Sequence, residues 1–219
     1  MLTYIVCDVE ANGPIPGPYS MISFGAVAIS REEGILGEFE INMQELENST
    51  SHPIIMKWFK DNAPEALNYT KKNPIEPSIA INKFADWLLT IPGRRIMAAH
   101  PSPFDFMWLN WYMQKFLEDR LERPYFLQPF FDIKAPASFD IKSYATGILN
   151  LEYVDTYKNN YPENLFNKSN HTHKAIDDAR EYAHLLIKLL NIQKKINYLF
   201  KLLHFLMHFF DENQSTEPS

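Results

Sequence analysis

Two acids stand one residue apart in Ile5-Val6-Cys7-Asp8-Val9-Glu10, at the end of a run that is otherwise mostly apolar. Alternate side chains of a strand share a face, so Asp8 and Glu10 point the same way. Side-by-side carboxylates near a sheet centre repel each other and lose hydration, and a divalent cation relieves both costs. A strand end running out into solvent accounts for the same pair with no metal. Acids further along bear on the choice. Asp105 follows His100-Pro101-Ser102-Pro103-Phe104, in the first turn of a predicted helix. It could simply complement the helix dipole there, or reach Asp8 and Glu10 if the preceding strand lies beside the first. Asp177 and Asp178 sit in His173-Lys174-Ala175-Ile176-Asp177-Asp178-Ala179. Asp177 shares a helical face with Glu181, His184 and Lys188, whereas Asp178 lines up with Ala175, Tyr182 and Leu185 and is aimed at the body of the protein. His173 would be about 140° from Asp178 on a continuous helix of ~3.6 residues per turn. It therefore belongs at the helix start or in the loop before it, from where it can swing towards water held by the site.

The elements that must position these groups read in order along the chain. A first strand spans Leu2 to Val9, and a Pro- and Gly-rich loop runs from Ala11 to Tyr19. Met21 to Ile29 is a buried strand and Leu36 to Met43 an alternating one, joined by short connections into an antiparallel meander. Ser51 can cap a helix with Pro53 in its first turn. A second helix starts near Pro77, with Ile81, Phe84, Ala85, Leu88 and Leu89 at helical spacing. Arg95 to Ala99 is a fourth strand, Phe104 to Leu117 a helix, Phe126 to Ile133 a fifth strand and Ser138 to Leu149 a short helix. Leu151 to Asn170 reads as a long polar loop. Lys174 to Leu190 is a helix that continues or restarts over Asn191 to Phe210, before a polar, disordered tail from Asp211 to Ser219. Meandering strands followed by helix-separated strands indicate a layered α/β domain.

Composition sets outer bounds. A chain of 219 residues, 46% hydrophobic and 22% charged, suits one globular domain with a sizeable core. A formal charge of −6 argues against a histone-like basic coat but not against a nucleic-acid enzyme, because ions held by carboxylates invert the local sign. Cys7 is the sole cysteine, which excludes an intrachain disulfide and reads as a small buried residue. No secretory leader is evident, so the expected compartment is a reducing cytoplasm.

Taken together, Asp8-Val9-Glu10, Phe104-Asp105 and the H-x-A-x-x-D-A pattern from His173 to Ala179 resemble the three motifs of the DnaQ-like 3′–5′ exonucleases of the DEDDh type. Ser23-Phe24-Gly25-Ala26-Val27 is similar to the family's second strand. Trp58, Phe59 and Pro64-Glu65-Ala66 resemble a bacterial exoribonuclease-like subset, and Asp140-Ile141-Lys142-Ser143 the segment after the fifth strand. The likeness spans Thr3 to Leu190. It implies an α/β, RNase H-like fold whose five-stranded mixed sheet has the order 3-2-1-4-5, strand two antiparallel to the rest, flanked by helices. Residues 1–192 would form the exonuclease domain, 193–210 an apolar helix and 211–219 the tail.

The resemblance also implies a mechanism: two-metal hydrolysis of the 3′-terminal phosphodiester of single-stranded DNA or RNA, with nucleoside 5′-monophosphates as products. Asp8, Glu10, Asp105 and Asp178 would ligate the metals, two ions per site, and all-oxygen ligation favours Mg²⁺ or Mn²⁺. His173 would be the general base, since an unperturbed pKa of ~6.5 suits proton uptake near neutrality. His171 is its competitor, at a spacing that departs from the motif. The partner is a single-stranded 3′ end, gripped through Ala11, Asn12 and Gly13, where relatives often carry Thr-Gly, and by stacking on Phe24, Phe104 or Trp108. The same three aromatics could instead be core. Lys142, Lys168 and Lys174 could meet phosphates or only solvate the surface, and His100 could touch substrate or cap a strand. A catalytically silent nucleic-acid-binding domain and a hydrolase of dinucleotides or short oligonucleotides are the rival readings. The run Ile196 to Phe210, apolar on nearly all sides, is too short for a membrane span and is either packed on the domain or a homodimer interface.

Overall fold

The computed structural model describes residues 1–134, 138–165 and 172–214, with side chains through His204. Strands β1 (Leu2–Ala11), β2 (Met21–Ser30) and β3 (Gly34–Asn42) form the antiparallel meander. Helices α1 (Pro53–Asn62), α2 (Pro64–Thr70) and α3 (Pro77–Thr90) follow, then β4 (Arg94–Ala99) and α4 (Ser102–Phe116). A two-residue strand β5 (Phe139–Asp140), α5 (Ile141–Leu149) and α6 (Ala175–Gln214) complete the chain. The sheet order is β3-β2-β1-β4-β5, with β1, β4 and β5 parallel and β2 antiparallel to its neighbours. This is the RNase H-like arrangement.

The alternation of β1 sorts its side chains between two layers. Ile5, Cys7, Val9 and Ala11 enter one core with Phe84 of α3 and Trp108 and Tyr112 of α4. Tyr4 and Val6 enter the other, beneath α5 and α6, with Leu185, Leu186 and Leu189. Asp8 and Glu10 continue this second row, so they emerge on the α6 side of the sheet. Cys7 is buried and burial pushes its thiol well up, in keeping with a packing role.

The structure departs from the predicted elements in several places. Phe126 to Ile133 is not a strand: Leu127 adopts a left-handed backbone and Phe130 and Phe131 turn into the core. Pro129 has no N–H to give a ladder, and the Arg95 guanidinium takes up the carbonyls of Pro129 and Phe130 at 3.0 and 2.7 Å. The fifth strand comes later, at Phe139–Asp140, so α5 starts at Ile141 rather than Ser138. His52 replaces Ser51 as the N-cap of α1, because the Ser51 hydroxyl accepts a hydrogen bond from Asn12 at 3.1 Å. Single-turn helices at Tyr153–Asp155 and Lys158–Asn160 interrupt the long loop. The last helix is one continuous element of 40 residues, which carries Asp211–Gln214 where the tail was expected. No described helix is long and apolar enough to cross a membrane.

Candidate active site

Three separate elements deliver the four acids to one place. The end of β1 supplies Asp8 and Glu10, and the β1–β2 register shifts between Glu10 and Ala11, one residue before the pairing ends at Ala11 and Met21. Asp105 arrives on the first turn of α4, where its Oδ1 accepts the Val9 N–H at 3.0 Å. Asp140 holds that helix start in place. Its two carboxylate oxygens accept the N–H of Ser102 at 2.7 Å and of Ser143 at 2.6 Å, which ties the N-termini of α4 and α5 together. Asp178 comes from the first turn of α6 and is buried, whereas Asp177 turns away to Arg180 and Thr172, as the spacing predicts.

Two further contacts press α6 onto the sheet. Gly25 pairs with Asp8 across the β1–β2 ladder, and a Cβ there would stand 2.4 Å from the Ile176 nitrogen. Only glycine lets the helix start pass so close. Arg180 then clasps Glu38 of β3, its Nη2 2.7 Å from a carboxylate oxygen. Glycine and this ion pair together set the height of Asp178 above Asp8.

His173 stands just before α6 with φ of 53°, a left-handed turn. Its ring meets the edge of Trp58 from α1, with centroids 5.1 Å apart at 89°. One ligand atom each from Glu10, His173 and Asp178 lie within 4.8 Å of one another. With Asp8, Asp105, His100 and Phe104 they line a pocket of about 410 Å³.

The electrostatics of the pocket are those of crowded, buried carboxylates. Burial first, then repulsion from Asp105, Glu10 and Asp178, pushes Asp8 well above the usual carboxylate range. Burial and repulsion from Asp178 and Asp105 do the same to Glu10. Asp105 is pushed up to about 8, chiefly by burial. Among the described residues the Lys158 ammonium offsets the cluster, 2.6 Å from Asp178 and 2.7 Å from Glu181, over the Tyr182 ring. Acids held together at this cost are a donor set suited to a hard divalent cation.

His100 lines the same pocket, but its ring is engaged by two tyrosines. Its ring stacks on Tyr182 at 4.3 Å and shares a hydrogen bond with the Tyr161 hydroxyl, and burial pushes it down to about 4. His171 and Lys168 lie outside the described residues. The Lys142 and Lys174 ammoniums rest over the rings of Tyr153 and Tyr69.

The expected substrate contacts need correction. Phe24 and Trp108 are fully buried and present no face to a base, whereas Phe104 is 41% exposed at the pocket rim. Asn12 spends its polar groups inside the protein. Its N–H and Oδ1 bond to Ser20, its carbonyl accepts from His52, and its Nδ2 donates to Ser51. Ala11 is buried beside it, and Gly13 is glycine because the Tyr19 ring occupies the space a Cβ would need. Sequence reasoning did not single out Lys158, a lone lysine in a polar loop, nor Trp58 as the wall behind His173.

The exonuclease family model of the RNase T type matches residues 5–186. The chain belongs to the DnaQ-like exonuclease family. It is similar to the 3′-5′ DNA exonuclease Cap18 of Escherichia coli, 25% identical over 207 residues, which cover 89% of this chain and 96% of that one. Among solved structures, the nuclease domain of 3′hExo, a DEDDh family member bound to rAMP, superposes with a TM-score of 0.63 at 15% identity, covering 86% of this chain and 92% of the other. E. coli Exonuclease I in complex with a dT13 oligonucleotide gives 0.65 at 13% identity, over 91% of this chain and 44% of its own length. This exonuclease thus shares its fold with DEDDh nucleases, and its three motifs fall on the elements that build the pocket.

Proposed function

We propose that this exonuclease removes nucleotides singly from the 3′ end of single-stranded nucleic acid, with DNA as the preferred class, and releases nucleoside 5′-monophosphates. The observation that carries the reading is the convergence of Asp8, Glu10, Asp105, Asp178 and His173 on one open pocket, with an exposed aromatic at its rim. The likeness to a relative named as a DNA exonuclease supports DNA over RNA.

Asp8, Glu10, Asp105 and Asp178 would hold two Mg²⁺ or Mn²⁺ ions. When bound, these ions supply charge neutralisation at the phosphate and a water of lowered pKa. The chain's own groups do the rest. Phe104 stacks under the terminal base, a sequence-tolerant grip. His173, backed by Trp58, takes the proton of the attacking water. The bond from phosphorus to the 3′ oxygen of the penultimate sugar breaks, and that oxygen takes up a proton from solvent.

The test is release of 5′-monophosphates from matched 3′-labelled DNA and RNA single strands, with dinucleotides alongside and Asp8→Asn as the control. The expected result is Mg²⁺- or Mn²⁺-dependent release, faster from DNA and lost in Asp8→Asn. No product from any strand, with metal binding intact, overturns the proposal in favour of a silent nucleic-acid-binding domain. Product from dinucleotides alone replaces the substrate class.

A further inference from the structure

Two stretches of the chain run beyond what the pocket's own elements require. Past Ile192 the last helix outruns its domain: Tyr198, Leu199, Phe200, Leu202 and Leu203 are between 43% and 68% exposed, so they do not pack on it. The segment between α5 and α6 does the reverse. It is fastened to the domain and carries a charge into the pocket. Thr156 is fully buried, its hydroxyl donating to the Glu152 carbonyl at 2.9 Å and accepting from Thr146 of α5 at 3.0 Å. Tyr161 is buried too and holds His100 through its hydroxyl. Leu165 enters the core with α6, and Lys188 of that helix donates to the carbonyls of Asn164 and Leu165 at 2.9 and 3.1 Å.

Between Thr156 and Tyr161 the single turn Lys158–Asn160 delivers Lys158 to the acids. Its side chain is 19% exposed, although lysine ordinarily keeps its ammonium in water. The ammonium sits 2.6 Å from Asp178 Oδ1 and 2.7 Å from Glu181 Oε2. Those two acids stand three residues apart on α6, where side chains are neighbours, so one ammonium bridges both. The two acids differ in what else they can do. Among the described residues Asp178 groups with Glu10 and His173 as a set able to hold an ion, and Glu181 is not part of it. The lysine's charge also reaches Asp8 and Glu10, where it opposes the repulsion between the acids. Lys158 thus places a single positive charge on an oxygen suited to a metal, with a second carboxylate beside it that lies outside the ligand set.

We propose that Lys158 is the resident counter-cation of the metal-free site, and that it yields Asp178 to a divalent ion while Glu181 keeps hold of the ammonium. This rests on the reading of the pocket as a divalent-metal site. Two cations on one carboxylate oxygen repel, so the ammonium and an ion compete for Asp178. A lysine stripped of its only partner would be left buried and unpaired, at a high cost that Glu181 removes. The pair therefore sets the metal affinity of the site. Lys158 weakens it, and Glu181 limits how far. Neither residue touches the reacting atoms, so both are positioning residues. Their effect is that Asp178 faces a positive charge whether or not an ion is bound.

Mn²⁺ binding to the full chain, measured by titration calorimetry without substrate, tests the proposal. Lys158→Met should lower the Kd about tenfold, and Glu181→Gln should raise it about fivefold. In Lys158→Met/Glu181→Gln the second change should lose its effect, to within about twofold, because no ammonium is left to receive. A further readout needs no variant. Reductive methylation of the wild type, followed by mass spectrometry, should label Lys158 several times faster in saturating Mg²⁺ than in EDTA. Mn²⁺ binding in Lys158→Met that is no tighter than wild type overturns the proposal. So does a Glu181→Gln effect of the same size with and without Lys158, and so does labelling indifferent to Mg²⁺, as a permanent ion pair that only fastens the segment would give. Asp8→Asn separates the two levels of the reading. If the wild type binds no Mn²⁺, or Asp8→Asn binds it equally well, the metal site itself is overturned and the role of Lys158 with it.

Discussion

Asp105→Asn separates the cost of the acidic cluster from its use. The substitution removes the ionisable group and keeps an amide oxygen where Oδ1 accepts the Val9 N–H at 3.0 Å. In the metal-free protein burial raises this carboxyl from 3.8 to about 8. Well below pH 3.8 the folded and unfolded chains both hold the proton, so the wild type loses nothing. As the pH rises towards about 8 the unfolded chain releases its proton first, and the stability of the fold falls. By pH 7 the penalty is on the order of 2–4 kcal/mol, which asparagine does not incur. For a chain of this size that is a rise in Tm of roughly 5–15 °C. Thermal unfolding in EDTA at pH 4.5 and pH 7.5 measures it. The variant should exceed the wild type only slightly at the lower pH and by several times as much at the higher one. Saturating Mg²⁺ should then raise the wild type more than the variant. A variant no more stable than wild type at pH 7.5 in EDTA would refute the view that these carboxyls are held together against their own repulsion.

Other parts of the site give shorter tests. Lys158→Met removes the cation beside Asp178 and should cost on the order of 1–3 kcal/mol in EDTA, less in Mg²⁺, by urea denaturation; equal stabilities in both buffers would mean that the pair does not form in solution. His173→Ala should lower kcat by roughly 10²–10⁴-fold and remove the acidic limb of its pH profile. If that limb persists, the base is another group. Phe104→Ala should raise KM for single strands about 5- to 100-fold with little change in kcat, as expected from the loss of one base stack; an unchanged KM would put the grip elsewhere. Gly25→Ala should lift the start of α6, costing roughly 1–3 kcal/mol and most of kcat, and a fully active variant would show that the helix need not lie so close.

Much of the fold and of the acid set was legible in the sequence because both rest on local rules. Alternation put Asp8 and Glu10 on one face, and helical spacing aimed Asp178 inward and Asp177 outward, as their contacts now bear out. The sheet order came from the family resemblance alone, and the structure has it. The failures share a cause. Phe126 to Ile133 has strand composition, but its partners are a distant arginine and the core, and no local pattern records either. Phe24 and Trp108 have the same chemistry as Phe104, and only the packing of α3 and α4 on the sheet buries two of the three.

By itself, then, the sequence determined which acids are candidates for a cation site, which faces they share, and the family whose motifs they form. These properties follow from residue type and from periods of two and 3.6. The tertiary structure alone decided that Lys158 lies against Asp178, that Trp58 backs His173, that Asn12 serves the fold, and that the last helix outruns its domain. Each of these depends on where separate segments end relative to one another in space, a distance that sequence periodicity does not encode.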